Sequence, residues 1–230
     1  LSTEEIRANA RERLDLAVQH AKRDVDRFAS LALRAQFDLR YREAIEWHRK
    51  VLAERPMDVT AMGSLLDLLT RTGTREDLRE PLDQIWPLAF ERWAWTNLHL
   101  NYAHRGPDRQ RAADQALELL EHWPNDEFVM YQTHRALLWA GRTEAARAVL
   151  ERWRQSAVTL LWVSIPPARQ ASAEGDCDEV RRLLETVPAD DVPQRWHLLM
   201  MLGEHGQAEQ VLRALERSGN VQGLAGFLSY

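Results

Sequence analysis

Between residues 25 and 56 the apolar positions fall into two helical stripes. Phe28, Leu31, Ala32 and Ala35 follow intervals of 3, 4 and 7, and after a polar stretch Ala44, Ile45, His48, Val51 and Leu52 continue in the same manner. Side chains at these intervals share one face of an α-helix. The pattern therefore predicts two helices, with Tyr41 and its neighbours in the turn between them. Pro56 ends the second helix, because proline lacks an N–H and biases Arg55 out of the helical region. The stretch "AIEWHRKVLAERP" (44–56) is echoed by "AADQALELLEHWP" (112–124), 68 residues on, with Pro124 as its stop. No run of alternating apolar residues rich in β-branched side chains appears, so the expected fold is all-α.

The echo belongs to a longer series. Gly73, Gly141 and Gly175 lie 68 and 34 residues apart, each between one helix-like stretch and the next. Five residues after each comes a small or apolar side chain: Leu78, Ala146 and Val180. With Ala44 and Ala112 these form a series at a constant step of 34, and Val211, five after Gly206, follows 31 residues later. Glycine at the end of a first helix supplies a left-handed cap without steric cost. Pro81 inside one second helix, and Pro166 with Pro167 at the start of one first helix, predict local kinks or late starts.

Residues from Ser2 to about Arg23 read as one helix, opened by the capping box "STEE". Ala10 falls 34 before Ala44, so this helix is the second half of a truncated repeat or a cap imitating one. The expected organisation is an N-terminal helix (1–24), a repeat array (25–218), and a C-terminal tail or the start of a further helix (219–230). The apolar ending "NVQGLAGFLSY" and the initial Leu1 suggest a piece of a larger, bacterial-type multidomain protein, since an array end should be polar.

A helix–turn–helix period of 34 resembles the tetratricopeptide repeat family. Residues 25–58 match its pattern at Phe28, Leu31, Ala32, Tyr41, Ala44 and Pro56. Residues 92–126 match at Trp95, Leu98, Tyr102, Ala112, Ala116 and Pro124, with one extra residue around "RGPD". The resemblance implies an α-α superhelix of about six repeats, whose first helices line a concave, protein-binding wall. Carried over position by position, that wall includes Trp93, Asn97, Leu100 and His104 in the third repeat. The fourth adds Phe128, Tyr131, Gln132, Arg135, Leu138 and Trp139, the fifth Trp162, Ile165 and Arg169, and the sixth Trp196, His197 and Met200. The binding candidates are Asn97, Tyr131, Gln132, Arg135, Trp139, Trp162, Arg169, Trp196 and His197. Aromatics mixed with arginine dominate interface hot spots, and Tyr131, Arg135 and Trp139 form one stripe at four-residue steps. Trp47, Trp86, Trp95, Trp123 and Trp153 are assigned to packing. The family also includes lysine–asparagine clamps for a chaperone's terminal carboxylate. Here neither lysine, Lys22 or Lys50, falls on an inward position, and Ala29, Leu33, Gly63 and Ser64 stand in the first two repeats instead.

Composition narrows the functions. A net charge of −5 gives no field favouring nucleic acid. The longest apolar run, 157–168, is too short to span a bilayer, so no membrane insertion is expected. The single cysteine, Cys177, lies between Asp176 and Asp178 and excludes an internal disulfide or a CxxC metal site. The histidines show no metal spacing, His48 reads as a satisfied core imidazole, and no nucleophile elbow or phosphate loop occurs. The reading is a non-enzymatic scaffold without cofactor or metal, binding a protein or peptide or a second copy of itself. Its alternative is a ligand- or peptide-sensing domain attached to an output domain such as a transcription regulator or cyclase. A purely structural spacer predicts a polar inner face, which the aromatics oppose. The location is left open, with a cytoplasmic one favoured and a periplasmic one possible.

Overall fold

A computed structural model describes residues 3–155 and 164–218. These contain thirteen α-helices, three short 3-10 stretches and no strand. None of the described helices is long and apolar enough to cross a membrane. The chain divides into two compact units, residues 1–112 and 113–230.

The first unit holds α1 (Thr3–His20), α2 (Asp24–Phe37), α3 (Tyr41–Glu54), α4 (Val59–Thr72), α5 (Arg79–Ile85), α6 (Trp93–Tyr102) and the start of α7 (Arg109–His122). Its main packings join neighbours in the chain, α1 with α2, α2 with α3 and α3 with α4. The core gathers Leu66, Leu68, Leu78, Ile85 and Trp95, all essentially without exposed surface. Phe28 stacks on Trp47 with ring centroids 5.6 Å apart, and the Lys50 ammonium sits 4.0 Å from the Trp47 ring centre. His48 is buried, but neither ring nitrogen has a hydrogen-bond partner among the described residues. The expectation of a satisfied imidazole is thus corrected. Burial lowers its pKa below the ordinary value.

The second unit continues α7 and adds α8 (Glu127–Trp139), α9 (Thr143–Gln155), α10 (Ile165–Glu174), α11 (Cys177–Thr186), α12 (Val192–Met201) and α13 (His205–Ser218). Ile165, Ala168, Val180, Val187 and Leu198 form one of its cores. Aspartates cap its helices: Asp126, Asp176 and Asp191 accept from the backbone N–H three residues on. Each such cap is worth about 1 kcal/mol.

Four of the turns within helix pairs share one design. Leu39, Gly141, Gly175 and Gly203 adopt the left-handed conformation. In each case the next residue's N–H bonds the carbonyl five positions back: Arg40 to Ala35, Arg142 to Leu137, Asp176 to Ala171 and Glu204 to Leu199. This is the Schellman closure of a helix C-terminus. Five residues after each left-handed position lies a buried small side chain, Ala44, Ala146, Val180 or Ala208.

Several expectations change. Tyr41 opens α3 rather than lying in the turn, because the Schellman bond closes the turn over residues 38–40. In the last pair Gly203, not Gly206, makes the turn. Gly206 lies inside α13, and Ala208 rather than Val211 takes the buried place. Gly73 is not left-handed; its φ is −97°. Glycine is needed there for space, since a Cβ would meet the Leu69 carbonyl oxygen at 2.8 Å. The N-terminal helix ends at His20, short of Arg23, and its proposed Ser2 cap lies outside the described residues.

The prolines act locally. Pro166 and Pro167 occupy the first turn of α10, where their missing N–H groups would have no partner anyway. Pro81 falls within α5, which is only seven residues long and lies between 3-10 stretches at Glu76–Leu78 and Pro87–Phe90. Pro81 is the third residue of α5, where a missing N–H is tolerated, and Pro87 opens the 3-10 stretch just beyond its end, so the two prolines bracket a helix of seven residues.

Candidate functional site

The stripe on α8 stands opposite that helix's packed face. Val129, Met130, Thr133, Ala136 and Leu137 are buried. Thr133 Oγ1 donates to the Ala116 carbonyl at 3.0 Å and pins α8 to α7. On the other side Tyr131 and Arg135 are half-buried, and Trp139 keeps 44% of its surface exposed. These three form a layered set. The Arg135 guanidinium carbon lies 5.8 Å from the Tyr131 ring centre and 5.3 Å from that of Trp139.

Arg169, from α10, completes the set. It donates to the Tyr131 hydroxyl at 2.8 Å, and its guanidinium lies 5.6 Å from the same ring centre. Trp153 of α9 meets Tyr131 edge-on at 6.1 Å. Two cations thus flank one tyrosine, Arg135 near its ring and Arg169 at its hydroxyl. Three other half-buried arginines pair with carboxylates: Arg34 with Asp15, Arg55 with Asp26 and Arg142 with Asp114. No carboxylate pairs with Arg169 among the described residues.

Beneath this face runs a polar bridge. His134 is fully buried, and its Nε2 lies 3.2 Å from Gln170 Oε1. Gln170 Nε2 donates to the Thr143 carbonyl at 3.1 Å and to Glu174. The amide orientation this requires makes Oε1 an acceptor, so the imidazole donates through Nε2. Glu174 in turn accepts from Arg147 of α9 at 3.0 Å. Burial pushes the His134 pKa down to about 4; the bond to Gln170 opposes this, and the charges of Arg169 and Arg154 reinforce it. An imidazole closed off from solvent and held by an amide is not placed to act as a general base.

The remaining candidates are scattered. Gln132 is buried and takes part in packing, as do Leu100, His104 and Ile165 of the inferred wall. His197 is half-buried with Nδ1 2.9 Å from the Pro193 carbonyl, and burial lowers its pKa, with Arg169 adding to the effect. Trp196 is half-buried beside it, ring centres 5.1 Å apart. Asn97 belongs to the first unit and accepts from Asn101 Nδ2 at 2.9 Å. Trp162 lies outside the described residues. The structure therefore brings together Tyr131, Arg135, Trp139 and Arg169. Sequence reasoning missed His134 and Gln170, whose only signal was a histidine and a glutamine on the buried faces of two first helices. Among the described residues no three His, Cys, Asp or Glu side chains gather as a metal site.

No protein-family model matches the chain, and no curated protein matches it.

Proposed function

We propose that this chain is a non-enzymatic, tetratricopeptide-like scaffold that holds a protein or peptide segment against the α8–α10 face of its second unit. The observation that carries the reading is the Tyr131–Arg135–Trp139 stripe with Arg169 laid against it. Rigid aromatics with arginine beside them offer large contact area at low entropic cost, the composition of interface anchors. The repeat reading draws support from the second helices that open at Arg109, Thr143 and Cys177, two steps of 34 residues. It also draws on the recurrent left-handed turns, each followed five residues later by a buried small side chain.

The test is affinity capture from a lysate of the source cell, comparing wild type with the double variant Arg135→Ala, Arg169→Ala, after circular dichroism has shown both to be folded. A protein or peptide, including a second copy of this chain, should be retained by wild type and lost from the variant. Equal retention by both would remove the binding role from this face.

A further inference from the structure

The first unit contains a cleft of about 680 Å³ that the second-unit face does not involve. Its origin is the proline-broken segment after α4. A continuous second helix over residues 76–90 would lay side chains against α3 turn after turn, and a seven-residue α5 cannot. Met62, Leu65, Pro81 and Ile85 are the buried part of its lining, and Ala53, Pro56 and Met57 are exposed at its lip. Leu52 and Leu88 add further apolar surface. The volume lies in the range of small-molecule sites, roughly 300–1,000 Å³. Two methionines in the lining provide side chains that adjust to the shape of a guest.

Only Arg49, Glu80 and Gln84 bring polar side chains to this lining. Glu80 already accepts from the Gln84 amide at 3.3 Å. Arg49, on α3 one turn before Ala53, is exposed; its charge helps to lower the Asp77 pKa, but the two form no ion pair. A guanidinium presents a planar fork of donors that matches a carboxylate. An apolar hollow with such a donor at its edge suits a molecule with an apolar body and one anionic end.

We propose that this cleft binds a small amphipathic carboxylate, its apolar chain against Met62, Leu65 and Ile85 and its head group on Arg49. The site shares no residue with the α8–α10 face, so either can fail without the other.

The chain's five methionines, Met57, Met62, Met130, Met200 and Met201, allow a direct test. Protein carrying ¹³C-methyl methionine is titrated with dodecanoate below its micellisation concentration and followed by NMR. Met57 and Met62 should shift saturably while Met130, Met200 and Met201 stay in place. Arg49→Gln, an exposed substitution, should weaken dodecanoate about tenfold, the worth of a hydrogen bond to a charged group. The same-length cation dodecyltrimethylammonium should bind wild type more weakly than dodecanoate does. Absence of a saturable shift at Met57 and Met62, or comparable shifts at all five methyls, would overturn the site. Unchanged dodecanoate affinity in Arg49→Gln would overturn the carboxylate assignment.

Discussion

Leu39 holds its backbone at φ 58°, where its three counterparts are glycines, and 70% of its surface is exposed. A left-handed conformation costs a residue with a Cβ about 1–2 kcal/mol, and glycine nothing comparable. Leu39→Gly should therefore raise stability by about 1 kcal/mol, seen as a higher urea midpoint at unchanged slope. Gly141→Ala should lose about the same amount, and since nothing lies within 4 Å of the added Cβ the loss would be purely a backbone effect. A leucine at a position of positive φ is invisible to a glycine search, which is why the 34-residue series could be read from Ala44 onward but its turn could not. Gly206 shows the opposite failure: a glycine at nearly the right spacing that sits within a helix.

At the scale of elements, the His134–Gln170–Glu174–Arg147 bridge ties α8, α9 and α10 together. Its imidazole is neutral and resists protonation until about pH 4, whereas the unfolded chain takes up that proton near 6.5. The sign follows. Above pH 6.5 both states are neutral and the group contributes no pH dependence. As pH falls from 6.5 to about 4, the unfolded state gains a proton the folded state refuses, and stability drops by up to ~3 kcal/mol. His48 and His197, also shifted down mainly by burial, act in the same direction. Urea titrations at pH 7 and pH 4.5 should show the fall, and His134→Gln should flatten part of it. Helix pairing was legible in the sequence because 3.6-residue periodicity, prolines and capping aspartates are local signals. The bridge and the Arg169–Tyr131 contact were not, because they join residues 36 and 38 positions apart. The stripe on α8 could be read within one helix and Arg169 as a separate candidate; the contact between them could not.

For the whole molecule, charge is plentiful and mostly local. Sixteen ion pairs occur among the described residues, and nine of them span one helical turn, such as Arg71 with Asp67 and Arg182 with Glu179. Exposed pairs of this kind contribute from nothing to about 1 kcal/mol each, and salt screens them. Stability rests instead on apolar burial within each unit, around Leu66, Ile85 and Trp95 in the first and Ile165, Val180 and Leu198 in the second. Moving from 0.05 M to about 0.5 M NaCl should therefore shift unfolding free energy by less than ~2 kcal/mol, measured in urea rather than an ionic denaturant. A larger loss would mean that the ion pairs act as a cooperative network.

The Schellman turns also determine where the chain can grow. Each closes a helix end through one bond of fixed span, and a buried residue follows five positions after the left-handed one. A residue inserted at 38–40 or 140–142 would rotate the following helix by about 100° and carry Ala44 or Ala146 off its seam. The connections between pairs, such as 55–58 and 123–126, carry a simple turn bond, Asp58 N–H to the Arg55 carbonyl and Asp126 N–H to the Trp123 carbonyl, in place of a Schellman closure. They end in a capping aspartate that restarts the next helix whatever length precedes it. Insertions, tags and lineage-specific loops belong just before Asp58 or Asp126, and the short turns inside each pair are the positions where length must be conserved.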